Sequence, residues 1–132
     1  FQYIIAQSLG AILGAILANT MYGYDFISIS SVTRTGGGIL LGELIATFGL
    51  VLLIHVTLKF KEEAIPYAVG LYIFSAVSFT SSTGFANPAV SIGRIFSSAP
   101  ASIAINSALI FIVVQVIAGL IAFYVARFLT EK

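Results

Sequence analysis

Long apolar runs alternate with short polar ones along this chain. The runs cover about residues 1–22, 39–58, 65–82 and 102–126. Each reaches or approaches the roughly 20 residues that a helix needs to cross a bilayer. Lipid offers no water to unpaired backbone groups, so the runs are predicted to be helices. Polar segments separate them: the Gly-rich "YGYDFISISSVTRTGGG", the charged hairpin "KFKEEAIP", and a third connection containing "GFANPAVSIGRIFSSAPAS".

The third connection mixes turn residues with apolar ones. "SFTSSTGFA" is too polar to continue a helix through lipid. Asn87 is a favoured N-cap, and Pro88 suits the first helical position, where no N–H partner is needed. "PAVSIGRIF" then predicts two to three helical turns before Ser-Ser-Ala-Pro. That is too short to span. An ordinary extracellular loop would not need Phe85, Ala86, Val90, Ile92, Ile95 and Phe96. The pattern instead predicts a re-entrant half-helix, whose irregular backbone is tolerated where it lines a cavity or is buried in protein. Its positive end and free N–H groups would point into that cavity.

Composition sharpens the membrane reading. The chain has 132 residues, 59% hydrophobic and 8% charged, with a mean hydropathy of +1.09. Soluble domains carry about 25% charged residues. A net charge of +1 leaves no nucleic-acid footprint, and the absence of cysteine excludes disulfides and thiolate metal sites. No basic segment precedes the first run, which therefore reads as a span and not a signal peptide. Because it begins at Phe1, the chain is expected to be a piece of something longer. Lys59, Lys61, Arg127 and Lys132 fall on one side of a four-span arrangement, so the positive-inside rule places the second loop and the C-terminus in the cytoplasm. The N-terminal end is then cytoplasmic too.

"QSLGAILGA" (7–15) aligns without gaps to "QVIAGLIAF" (115–123), each with Gln followed by small residues three, four and seven positions later. Small residues at this spacing let helices approach closely in lipid. The echo has two readings: shared membrane-helix composition, or equivalent last helices of two repeats.

In this setting Asn87-Pro88-Ala89 resembles the second signature loop of the aquaporin (major intrinsic protein) family. The resemblance covers the whole chain. "YIIAQSLGAILGAILA" resembles the family's third helix, "GELIATFGLVLLI" the fourth, "AIPYAVGLYIFSAV" the fifth and "FIVVQVIAGLIAFYVARFL" the sixth. It implies an all-α membrane protein: a partial bundle of four transmembrane helices plus one re-entrant half-helix. Residues 1–132 would form a single partial domain, with the third helix of the first repeat at about 1–22 and a complete second repeat at about 38–128. It also implies homotetramers in the lipid bilayer of a bacterial or archaeal plasma membrane.

The resemblance assigns roles. Asn87 would cap the half-helix through its oxygen and offer its NH₂ to passing water or hydroxyls. Glu43, whose carboxylate inside a span is costly unless paired or functional, would accept hydrogen bonds from the half-helix loop. Most family members carry Arg directly after the tripeptide, and here the residue is Val90. With Val77 and Gly84 at neighbouring filter positions, this implies a wide, weakly polar constriction. The pattern is similar to a bacterial branch associated with arsenical resistance and, more loosely, to the glycerol-conducting branch. Arg94, one turn beyond Val90, would either bond loop carbonyls or reach the pore mouth. His55 reads as an interfacial histidine.

No nucleophile–base pair, phosphate-cradling loop or metal-ligand spacing occurs, so neither an enzyme nor a cofactor is expected. The function that follows is a passive channel for small neutral solutes: water, glycerol-like polyols, or neutral metalloid hydroxides such as arsenous acid. Half of a secondary transporter and an inactive fragment are the alternatives. The scarcity of ionisable residues deep in the spans favours a channel.

Overall fold

The computed structural model describes residues 1–131. Lys132, one of the cations used to orient the chain, lies outside the described residues. Five α-helices follow in order: α1 (Gln2–Met21), α2 (Gly37–Phe60), α3 (Ile65–Phe79), α4 (Pro88–Gly93) and α5 (Ile105–Thr130). There is no strand among the described residues.

Local chemistry sets the boundaries. Beyond α1, Gly23 adopts φ +72°, a left-handed conformation that glycine takes without steric cost. Gly36, at φ +108°, precedes α2. Pro66 sits in the first turn of α3, where its missing N–H costs nothing. The predicted charged hairpin contains a 3₁₀ turn over Glu62–Ala64 that leads directly into α3.

Three helices, α1, α2 and α5, are long and apolar enough to cross a membrane. The third predicted span is shorter than its apolar run. At 15 residues, α3 rises about 22 Å, short of the roughly 30 Å hydrocarbon core. Hydroxyl groups end it early. Thr80 Oγ1 donates to Ala76 O at 2.7 Å, Ser81 Oγ to Gly38 O at 2.7 Å, and Ser82 Oγ accepts from Gly84 N at 3.2 Å. Such bonds give the backbone an alternative to the helix.

The contacts divide the chain into two compact units that interleave in sequence. One comprises Phe1–Gly36 and Asn87–Ile112; the other comprises Gly37–Ala86 and the chain from Val113 onward. Helix α5 gives its first turns to one unit and the rest to the other.

In the first unit α4 packs on α1, and Gly93 makes the approach possible: a Cβ there would lie 2.6 Å from the carbonyl carbon and oxygen of Ala11. The loop after α1 pairs with the segment after α4. Ser30 N donates to Ile95 O and Ala104 N to Val32 O, both at 2.8 Å. In the second unit α2 and α3 meet through Gly49, which faces Tyr72, while the Tyr72 hydroxyl donates to Ala46 O at 3.0 Å. Ala46, Ala76, Ala118 and Ala122 are completely buried. Small side chains of this kind let helix backbones come close where lipid supplies no hydrophobic drive between them. Large apolar side chains point outward, among them Leu9, Leu13 and Leu17 on α1. That inverted pattern is stable in lipid, and the protein is an integral membrane protein.

Candidate functional site

Asn87 starts the half-helix. Its backbone is extended (φ −155°, ψ 126°), and its Oδ1 accepts from Ala89 N at 2.8 Å. The cap satisfies one of the orphan donors at the helix start, while Pro88 brings no N–H to be satisfied. With the oxygen so engaged, the amide nitrogen of Asn87 is its remaining polar group. Nδ2 lies 3.4 Å from Gln7 Oε1 on α1. Ala89 is buried, and so is Ser91, whose N–H donates to Asn87 O at 3.1 Å.

Val90 lies one position beyond the tripeptide, on a cavity of about 510 Å³. Ala11, Gly14, Ala15 and Ala18 of α1 form one wall of it, and Val90 and Arg94 are on another. The small α1 residues leave the space; larger side chains at those positions would fill it. The Arg94 Nη1 donates to Ala101 O at 2.8 Å, so this guanidinium both meets a loop carbonyl and lines the cavity.

Polar side chains fix the far end of the half-helix. Asn19, buried in the last turn of α1, donates through Nδ2 to Phe96 O at 2.9 Å and accepts from Ser97 Oγ at 2.6 Å. These bonds tie the chain after α4 to α1. Asn19 carries no signal in any motif; its one sequence mark is polarity near the end of an apolar run.

In the second unit Glu43 is completely buried on α2. Its Oε1 accepts from Ala86 N at 2.6 Å and from Gln115 Nε2 at 2.7 Å, and its Oε2 accepts from Phe85 N at 3.3 Å. Three donors on one carboxylate replace the hydration it loses on burial. Ala86 and Thr83 hold positive φ values of 52° and 66°, a region that costs an L-residue roughly 1–2 kcal/mol. The carboxylate therefore grips a strained turn on the residue just before Asn87.

Gly84, at φ +57°, packs on Ala76: a Cβ there would lie 3.0 Å from the Ala76 methyl and 3.1 Å from its carbonyl carbon. Val77, the next residue, is half exposed on α3. The unit thus brings Gly84 to the helical turn that carries Val77. Near the other end of α2, His55 Nδ1 lies 2.9 Å from Val51 O, and its ring meets Phe123 edge-on with centroids 5.4 Å apart. Among the described residues no group of three or more His, Asp or Glu side chains could hold a metal ion.

Over 129 residues, 98% of its length, the chain is 39% identical to the aquaglyceroporin AqpS of Rhizobium meliloti (strain 1021). It spans 55% of that relative's length. No family model matches the chain, and no solved structure matches it significantly.

Proposed function

We propose that this chain, which belongs to the aquaporin (major intrinsic protein) family, supplies one side of a passive transmembrane channel for small neutral solutes. The observation that carries the proposal is the cavity beside α4, walled by small α1 residues and faced by Val90 and Arg94. A cavity with apolar walls and few directed polar groups suits uncharged, hydroxylated molecules. Asn87 fits the same task. Its oxygen is engaged by the cap, which leaves its amide nitrogen as a donor that a solute can exchange against water.

Valine in place of arginine after the tripeptide keeps the constriction wide, which favours glycerol-like polyols and neutral metalloid hydroxides alongside water. The name of the relative, an aquaglyceroporin, agrees with the water and glycerol part of that reading. In this reading Asn87, Pro88 and Ala89 form the pore loop, Val77, Gly84 and Val90 the filter, and Glu43 the support beneath the loop. Residues 1–132 are a single partial aquaporin-like domain, and the native gene product assembles as a homotetramer. Its C-terminus lies in the cytoplasm, on the side of Lys59, Lys61 and Arg127.

The test is stopped-flow light scattering on liposomes containing the native gene product. Glycerol and water permeability should both exceed those of empty vesicles, with no current carried by K⁺. Vesicles in which neither solute moves faster than in empty controls would overturn the proposal.

A further inference from the structure

The cavity beside α4 is lined by one charged residue, Arg94, and a second guanidinium bonds the same loop that helps to line it. Arg34 comes from the loop between α1 and α2 and is only 8% exposed. Its Nε donates to Ser102 O at 2.8 Å and its Nη2 to Pro100 O at 2.9 Å. The carbonyl between those two belongs to Ala101, and it accepts from Arg94 Nη1 at 2.8 Å. Three consecutive carbonyls therefore hold two guanidiniums in alternation. The rack is itself anchored. Arg34 N donates to Ser107 Oγ at 3.0 Å, and the hydroxyls of Ser30 and Ser102 lie 2.8 Å apart.

Carbonyl dipoles solvate a guanidinium without cancelling its charge. The two arginines are close enough to act on each other electrostatically. The one carboxylate in this unit's sequence is Asp25, which is exposed. Two guanidiniums so held contribute positive potential at the cavity wall, and surroundings of low dielectric strengthen it. Arginine suits the Arg34 position because its planar fork reaches two carbonyls at once in a fixed geometry.

We propose that Arg94, on the wall of this cavity, and Arg34, behind it on the same run of carbonyls, form a two-guanidinium collar, which excludes small cations and favours solutes that present oxygen lone pairs. Arg94 faces the solute. Arg34 is a positioning residue: it holds the 100–102 segment in the shape that fixes Arg94, and it adds a second charge behind it. The proposal rests on the cavity being part of the solute path.

The experiment uses the native gene product in liposomes, with methylammonium as a cationic probe smaller than the neutral probe, glycerol, so that size alone does not explain its rejection. The wild-type protein should pass glycerol and reject methylammonium. Arg34→Gln should raise the methylammonium-to-glycerol permeability ratio on the order of ten-fold. Arg34→Lys keeps the charge without the fork and should fall between the two. A role in folding alone would lower both fluxes together and leave the ratio unmoved; an unmoved ratio overturns the collar. A second readout does not depend on transport. Phenylglyoxal labelling of Arg94, followed by mass spectrometry, should speed up in both Arg34 variants, and unchanged labelling overturns the positioning role. If the wild-type protein passes no glycerol, the channel reading fails and the collar fails with it. Should Arg34→Gln not insert, Arg34→Lys supplies both measurements.

Discussion

Removing the Glu43 carboxylate tests whether the strained turn before Asn87 is held from below. In Glu43→Ala, the N–H groups of Ala86 and Phe85 and the amide of Gln115 lose an acceptor that now lies at 2.6, 3.3 and 2.7 Å. A buried donor left unsatisfied costs roughly 1–3 kcal/mol. The Ala86 and Gln115 bonds are the short ones and dominate; the Phe85 bond counts least. Part of the loss is offset because no carboxylate is then withdrawn from water, which leaves a net destabilisation of roughly 3–5 kcal/mol. Glu43→Gln keeps the shape and one oxygen but turns an NH₂ toward a donor, so roughly half of that loss is expected. Thermal unfolding of the detergent-solubilised protein measures the global effect. Amide hydrogen exchange at residues 85–86 measures the local one, because with the carboxylate gone Ala86 is free to leave its positive φ of 52°. An alanine variant with wild-type unfolding temperature and wild-type protection at Ala86 would refute the reasoning.

The same turn makes Ala86→Gly an opposite test: glycine adopts positive φ freely, so stability should hold or rise by up to about 1 kcal/mol, read by the same unfolding assay. Gly93→Ala drives a methyl to 2.6 Å from the Ala11 backbone, which cannot swing aside, so a loss of roughly 1–3 kcal/mol is expected. Gly10→Ala on α1, next to Ala11, meets nothing within 4 Å and serves as the neutral control. Val90→Arg places a guanidinium on the cavity wall and should lower glycerol flux more than water flux in liposomes; equal changes in the two would remove Val90 from the filter.

Features carried by neighbouring residues were legible before any coordinates. The apolar runs mark the helices because lipid demands both length and internal hydrogen bonding. The start of α4 is equally local: the donor that Asn87 caps belongs to Ala89, two residues on. The end of α3 was less so. Its apolar run continues to the residues whose hydroxyls stop it, and Ser81 does this by bonding Gly38, far off in the chain. The arginine rack was illegible for the same reason. Arg34 stands in a polar loop where a charge usually means solvent, and its partners at Pro100 and Ser102 lie 66 and 68 residues away. Local periodicity reports which face of a segment is apolar; it does not name the distant carbonyl that a buried donor will find. Asn19 lies between these cases. Its polarity near the end of α1 was visible, but its partners at Phe96 and Ser97 were not.

Gln7 and Gln115, the leading residues of the internal echo, show how a shared residue type can serve two ends. Gln115 is almost fully buried, and its Nε2 donates to Glu43 Oε1, the same oxygen that accepts from Ala86 N. Through that carboxylate it acts on the residue before Asn87. Gln7 is exposed, and its Oε1 meets Asn87 Nδ2 directly, at 3.4 Å. The first arrangement is short, buried and charge-assisted, the kind that holds geometry. The second is at the long limit of a hydrogen bond and is therefore weak. The difference suits the proposed function. A backbone turn carrying positive φ has to be held rigidly. A donor that serves passing solutes has to exchange partners readily, since conduction needs binding favourable enough to enter and weak enough to leave. In the proposed channel, the weak contact to Gln7 would occupy the Asn87 amide in the absence of solute and yield to a water or hydroxyl of equal strength. The Asn87 oxygen, bound to Ala89 N at 2.8 Å, keeps the amide in place throughout.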